Sequence, residues 1–135
     1  MSTVGESFRE LHRRFIWTAD IDTHNVGEHW EDSSDKFLSD PAIVIRDDCD
    51  GFALTMAGIM VKRHDIDAKQ IRICVVNTEI GQRDGKAFDH AVCEYGGMVY
   101  DNRYREPYPV GWAGYEYNRH AYFINLTKWY ETNVS

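Results

Sequence analysis

The sequence predicts an α+β domain with N-terminal helices packed on a small antiparallel β-sheet. Three observations predict it. Phe8, Leu11, Phe15 and Ile16, and later Phe52, Ala53, Met56, Ala57, Ile59 and Met60, recur at steps of three and four, the period of a buried helix face. Ile71, Ile73, Val75 and Val76 are β-branched and mostly alternate, as in a strand. Gly96-Gly97 separates two further extended runs, the signal of a two-residue hairpin.

The chain has 135 residues, enough for one domain over 1–135 with a real core, but not for two. Its apolar fraction of 43% and charged fraction of 27% are those of a soluble globular domain. A net charge of −7 disfavours a nucleic-acid partner, because phosphate contacts need basic patches. Three cysteines fit neither a paired zinc-ligand pattern nor a disulfide scaffold, so free thiols in a reducing compartment are expected. Met1 to Glu10 contains no apolar run, and no stretch approaches the ~20 apolar residues of a membrane span. The expectation is a cytoplasmic protein without signal peptide or membrane anchor.

In chain order, Ser7 to Trp17 reads as an amphipathic helix. Asp20 to Glu28 is a polar loop. Trp30 to Leu38 is a second short helix, ended by Ser39-Asp40-Pro41, because the residue before proline avoids the helical region. Ala42 to Ile45 is extended. A helix over about 50–64 follows, with Asp48 or Asp50 as N-cap. Gln70 to Glu79, Ala87 to Tyr95 and Met98 to Asn102 are strands, with a charged loop at Gly81 to Gly85. The remainder is rich in aromatics, and Ala121 to Leu126 is a candidate further strand.

The chemistry centres on Asp48-Cys49-Asp50-Gly51-Phe52-Ala53. Cys49 falls at the start of the helix, where unpaired N–H groups and the macrodipole stabilise a thiolate. Cys74 and Cys93 lie in apolar strands and read as small buried hydrophobes. With Gly96 and Gly97 as the loop, Tyr95 pairs with Met98, Glu94 with Val99 and Val92 with Asp101. His90, Val92, Val99 and Asp101 then share one face. His90 and Asp101 become diagonal neighbours, roughly 5–8 Å apart by Cβ. A carboxylate there can orient an imidazole and leave its other nitrogen as general base.

The pattern resembles the bacterial transglutaminase-like cysteine proteinases of the papain-like and transglutaminase-like superfamily. The matching residues are the box Asp48 to Ala53, then Asp89-His90-Ala91-Val92, then Tyr100-Asp101-Asn102, with Trp30 and the first helix upstream. The resemblance spans about Phe8 to Ile124. It implies a papain-like/transglutaminase-like core, with Cys49 as nucleophile, His90 as base and Asp101 as its orienter. The chain departs from the pattern at Gly51, where the family often has a second acid, and in lacking an export signal. A cytosolic or phage-encoded relative fits.

The resemblance also suggests calcium, with Asp48 and Asp50 as candidate ligands. A physical argument stands beside it. Carboxylates next to Cys49 raise a thiol pKa, and a bound hard cation would neutralise them. Asp47, Asp89 and Asn77 are further candidate oxygen donors. An EF-hand is excluded, because aligning Gly51 with its glycine puts Arg46 first and Ala57 last. His12, His24, His29, His64 and His120 show no metal-ligand spacing. The backbone N–H of Cys49 is the expected oxyanion donor, with Trp30 or Asn25 as side-chain candidates.

The leading expectation is a cysteine peptidase or related amide hydrolase acting on a protein or peptide through a thioester, with no cofactor required beyond the candidate calcium. The motif does not separate a peptidase from a deamidase or transglutaminase on glutamine side chains. The rival expectations are a catalytically weak protein-binding or inhibitory module on the same fold, and a calcium-regulated binding module.

Overall fold

A computed structural model describes residues 3–18, 32–77, 90–114 and 116–117. The expected loops at Asp20–Glu28 and Gly81–Gly85, the strand at Ala121–Leu126, and Asn25, Trp30 and Asp89 lie outside the described residues, as do the side chains of Asp50 and Asn77. The described part is α+β, with three helices and two small sheets.

Helix α1 spans Val4–Arg14, not Ser7 to Trp17. It starts early because Thr3 and Glu6 form a capping box. Glu6 N–H donates to Thr3 Oγ1 at 3.1 Å, and Thr3 N–H donates to Glu6 Oε1 at 2.9 Å. It ends early because Phe15–Trp17 leaves as strand β1 and pairs in parallel with β2, Ile45–Asp47. Bulky and β-branched residues suit a strand once a partner exists. That partner is remote in sequence, so periodicity alone extended the helix.

The second helix, α2, is Ser34–Ser39, shorter than expected and stopped at Asp40 before Pro41 as predicted. Arg14 ties α1 to it. Its guanidinium donates to the carbonyls of Ile43, Phe37 and Asp40, pairs with Glu10 and lies over the Phe37 ring at 4.0 Å. Those partners account for a buried arginine.

Helix α3 spans Cys49–His64, close to expectation. It differs in burial. Every residue from Gly51 to Met60 is buried, so α3 is a central helix enclosed on all sides. A 3₁₀ turn at Ala68–Gln70 leads to β3, Arg72–Asn77. Strand β4 is His90–Tyr95 and β5 is Met98–Tyr100. Gly96 and Gly97 have φ of 61° and 80°, the left-handed backbone of a type I′ hairpin, which glycine adopts without strain. The register is the expected one, with Tyr95 opposite Met98 and Glu94 opposite Val99.

Two short strands, β6 at Tyr108–Pro109 and β7 at Glu116–Tyr117, complete an antiparallel sheet of order β6-β5-β4-β3-β7. Its two faces bury different cores. Ile73, Cys93 and Tyr100 join Phe8, Phe52, Ile59 and Met60 in the layer under the helices. Cys74, Val76, Val92, Val99 and Tyr108 form a second cluster on the opposite face, closed by Tyr104 and Ala113. Among the described residues, no helix is long and apolar enough to cross a membrane.

Candidate functional site

Cys49 is the first residue of α3. Asp48 is its N-cap, with extended backbone and a side chain that accepts the Gly51 N–H at 3.0 Å. The cap leaves Cys49 in the first turn, where the helix dipole favours an anion. Cys49 is partly exposed, whereas Cys74 and Cys93 are buried. Burial, then Glu94, pushes the Cys74 thiol far above its ordinary range. Cys93 is likewise pushed up, chiefly by burial. Only Cys49 of the three has a setting suited to nucleophilic chemistry.

The approach to Cys49 is built by β2. Thr18 N–H donates to the Asp47 carbonyl at 2.7 Å, continuing the β1–β2 pairing up to the cap. Asp47 is 1% exposed, and its Oδ1 accepts the Asp48 N–H at 2.8 Å. The acidic residues before the helix therefore act in turn and cap geometry. Among the described residues, no group of three or more His, Cys, Asp or Glu side chains is placed to hold a metal ion.

His90 and Asp101 meet. His90 Nε2 lies 2.7 Å from Asp101 Oδ1, with the two side chains 1% and 0% exposed. A carboxylate can only accept, so Nε2 carries the proton, and Nδ1 is the basic nitrogen of the neutral ring. Asp101 Oδ1 also accepts the Arg103 N–H at 3.0 Å. Its Oδ2 accepts the Tyr108 hydroxyl at 2.8 Å. Burial alone would raise the Asp101 pKa. The hydrogen bond and charge of His90, the Arg103 N–H and the Tyr108 hydroxyl outweigh burial and hold it below the usual carboxylate range. The sequence does not single out Tyr108. It lies beyond Pro107 in a two-residue strand, and no sequence period marks it.

Cys49 and the pair enter from different layers. Residues opposite each other in a ladder point to one side. Val76 opposes His90, and Cys74 opposes Val92, so His90 belongs to the face away from the helices. Cys93 and Tyr100 oppose each other on the helix side. His90 is the first residue of β4, and Asp101 is the first beyond β5. On the helix side, the Phe8 ring ties the start of α3 to the end of β5. It packs edge-on against Phe52, one turn into α3, at 5.8 Å, and against Tyr100, the residue before Asp101, at 5.5 Å.

No protein-family model matches the chain, and no curated protein matches it.

Proposed function

We propose that the chain is a cysteine-nucleophile acyl-transfer hydrolase with a papain-like/transglutaminase-like core, acting on a peptide or glutamine-type amide. The carrying observation is the buried His90–Asp101 hydrogen bond at the end of the hairpin, in a chain whose one partly exposed cysteine begins an N-capped helix. In this reading the start of α3 brings Cys49 to His90. His90 Nδ1 takes the Cys49 proton as Sγ attacks the carbonyl carbon. The tetrahedral oxyanion is held by backbone N–H groups of the first helical turn. On collapse the C–N bond breaks, and His90 returns the proton to the leaving amine. Water then cleaves the thioester with His90 again as base. Asp101 holds the ring in the Nε2–H tautomer and stabilises the imidazolium between steps.

A second reading, a binding or inhibitory module, is favoured by one observation. Tyr104, Pro107, Pro109 and Trp112 line an open groove of about 400 Å³, and Trp112 is 63% exposed. Exposed aromatic surface suits a protein partner.

Alkylation by iodoacetamide against pH, read by mass spectrometry, separates the readings. The hydrolase reading expects Cys49 to react well below pH ~8.5, the range of a free thiol. It also expects that reactivity to fall in His90→Ala, with Cys74 and Cys93 protected as internal controls. A Cys49 that titrates as a free thiol and ignores His90→Ala sinks the hydrolase and leaves the binding module. A calcium arm tests the Asp48 and Asp50 proposal, in which the cation accelerates alkylation by neutralising carboxylates beside the thiol.

A further inference from the structure

We propose that Tyr108 is a positioning residue that sets the proton affinity of the His90–Asp101 pair through its hydrogen bond to Asp101. The inference deepens the hydrolase reading and rests on it for its catalytic meaning. The geometry itself stands apart from any activity.

Tyr108 is built to hold one hydroxyl in one place. Its backbone pairs with Val99 across β5–β6, its side chain is 5% exposed, and Oη donates to Asp101 Oδ2 at 2.8 Å. Its ring is packed by Tyr104 at 5.1 Å and Trp112 at 5.2 Å, and Tyr104 also touches Trp112 at 5.4 Å. A buried tyrosine gains from a partner for its hydroxyl. Here the partner is the oxygen of Asp101 that His90 does not use. The two carboxylate oxygens are thus divided, Oδ1 to His90 and the Arg103 N–H, Oδ2 to Tyr108. A donor on Oδ2 disperses the negative charge and weakens the pull of Asp101 on the imidazole proton. It also prevents the carboxylate from rotating away from Nε2. Without Tyr108 the carboxylate is more basic, and the pair retains its proton to higher pH.

Arg103 contributes its backbone N–H and has an exposed side chain, and Arg105 and Glu106 are exposed on the same loop. Glu94 lies further along β4 on the His90 face, 3.5 Å from Cys74 Sγ. On the helix side, α3 packs on β4 and carries Asp48 and Cys49 at its start.

The test is the NMR titration of the His90 imidazole in the full chain and in Tyr108→Phe, with Tyr104→Phe as control, alongside Cys49 alkylation on the same samples. Tyr108→Phe is expected to raise the His90 titration by roughly half to one pH unit. Tyr104→Phe, which keeps the ring contact to Tyr108, leaves it in place. Site-specific 3-fluorotyrosine at 108 preserves the fold and is a stronger donor, so it shifts the titration downward. Coincident titrations for wild type, Tyr108→Phe and the fluorotyrosine protein overturn the inference. If the titration moves and the Cys49 profile moves with it, the full proposal stands. If the titration moves but Cys49 ignores His90, Tyr108 still governs the pair and the hydrolase reading falls. If Cys49 depends on His90 while the titration stays still, this inference falls alone.

Discussion

The space beside Gly51, where any other residue would carry a Cβ, is filled by the carboxylate of Asp47. Gly51 is buried in the first turns of α3, and Asp47 precedes the N-cap. The Asp47 side chain is buried and bonded to the Asp48 N–H, so it has little freedom to retreat. The glycine is needed for close approach, since its backbone is helical.

Replacing that glycine should cost stability although alanine is the better helix former. Ala in place of Gly gains about 1 kcal/mol in an exposed helix interior. Overpacking a rigid buried site costs about 1–3 kcal/mol, so Gly51→Ala is expected to be destabilising. Gly5→Ala in α1 is the contrasting case, because its Cβ would make only ordinary contacts, the nearest being Arg9 Nη1 at 3.7 Å. It should be neutral or stabilising. Urea midpoints of the two variants check the difference, and a Gly51→Ala protein as stable as wild type would refute the tight Asp47 packing.

Asp48 has two separable roles, cap and charge. Asn caps as well as Asp, whereas Ala loses about 1 kcal/mol. Asp48→Asn should therefore unfold near the wild-type midpoint, and Asp48→Ala earlier. Removing the charge next to Cys49 should also speed its alkylation at neutral pH, roughly threefold, because a like charge disfavours the thiolate. Equal alkylation rates in wild type and Asp48→Asn would show that this carboxylate does not act on the sulfur.

The Asp101 pKa is lowered in the folded chain, and that sets the sign of a pH effect. A carboxylate with a depressed folded pKa contributes stability that is fully present above the unfolded value of ~3.9 and is lost as pH falls through the folded value. Wild type should thus lose stability more steeply than Asp101→Asn below about pH 4. Above that range Asp101→Asn should be the less stable protein, because the amide cannot take charge-assisted bonds. Melting temperatures from pH 2 to 7 give both slopes. Parallel curves would mean that Asp101 gains nothing from His90, the Arg103 N–H and Tyr108.

Much of the fold was legible because it is local. The α3 boundaries follow from a cap and a run of apolar residues within one helix. The β4–β5 register follows from two glycines and the alternation of side chains. That alternation puts His90 and Asp101 on one face, and their side chains are 2.7 Å apart. The end of α1 is not legible locally, because Phe15–Trp17 becomes a strand only when Ile45–Asp47 pairs with it.

The sequence by itself determined the α+β class, the central helix with Cys49 at its head, and the hairpin that joins His90 to Asp101. Tertiary structure decided the rest. It selected Tyr108 as a partner of Asp101, put the Asp47 carboxylate in the space beside Gly51, and set His90 on the sheet face away from the helix that Cys49 begins. The physical reason is range. Caps, turns and strand alternation are set by neighbours in the chain, whereas which side chain fills a space or answers a buried carboxylate depends on segments that meet only after folding.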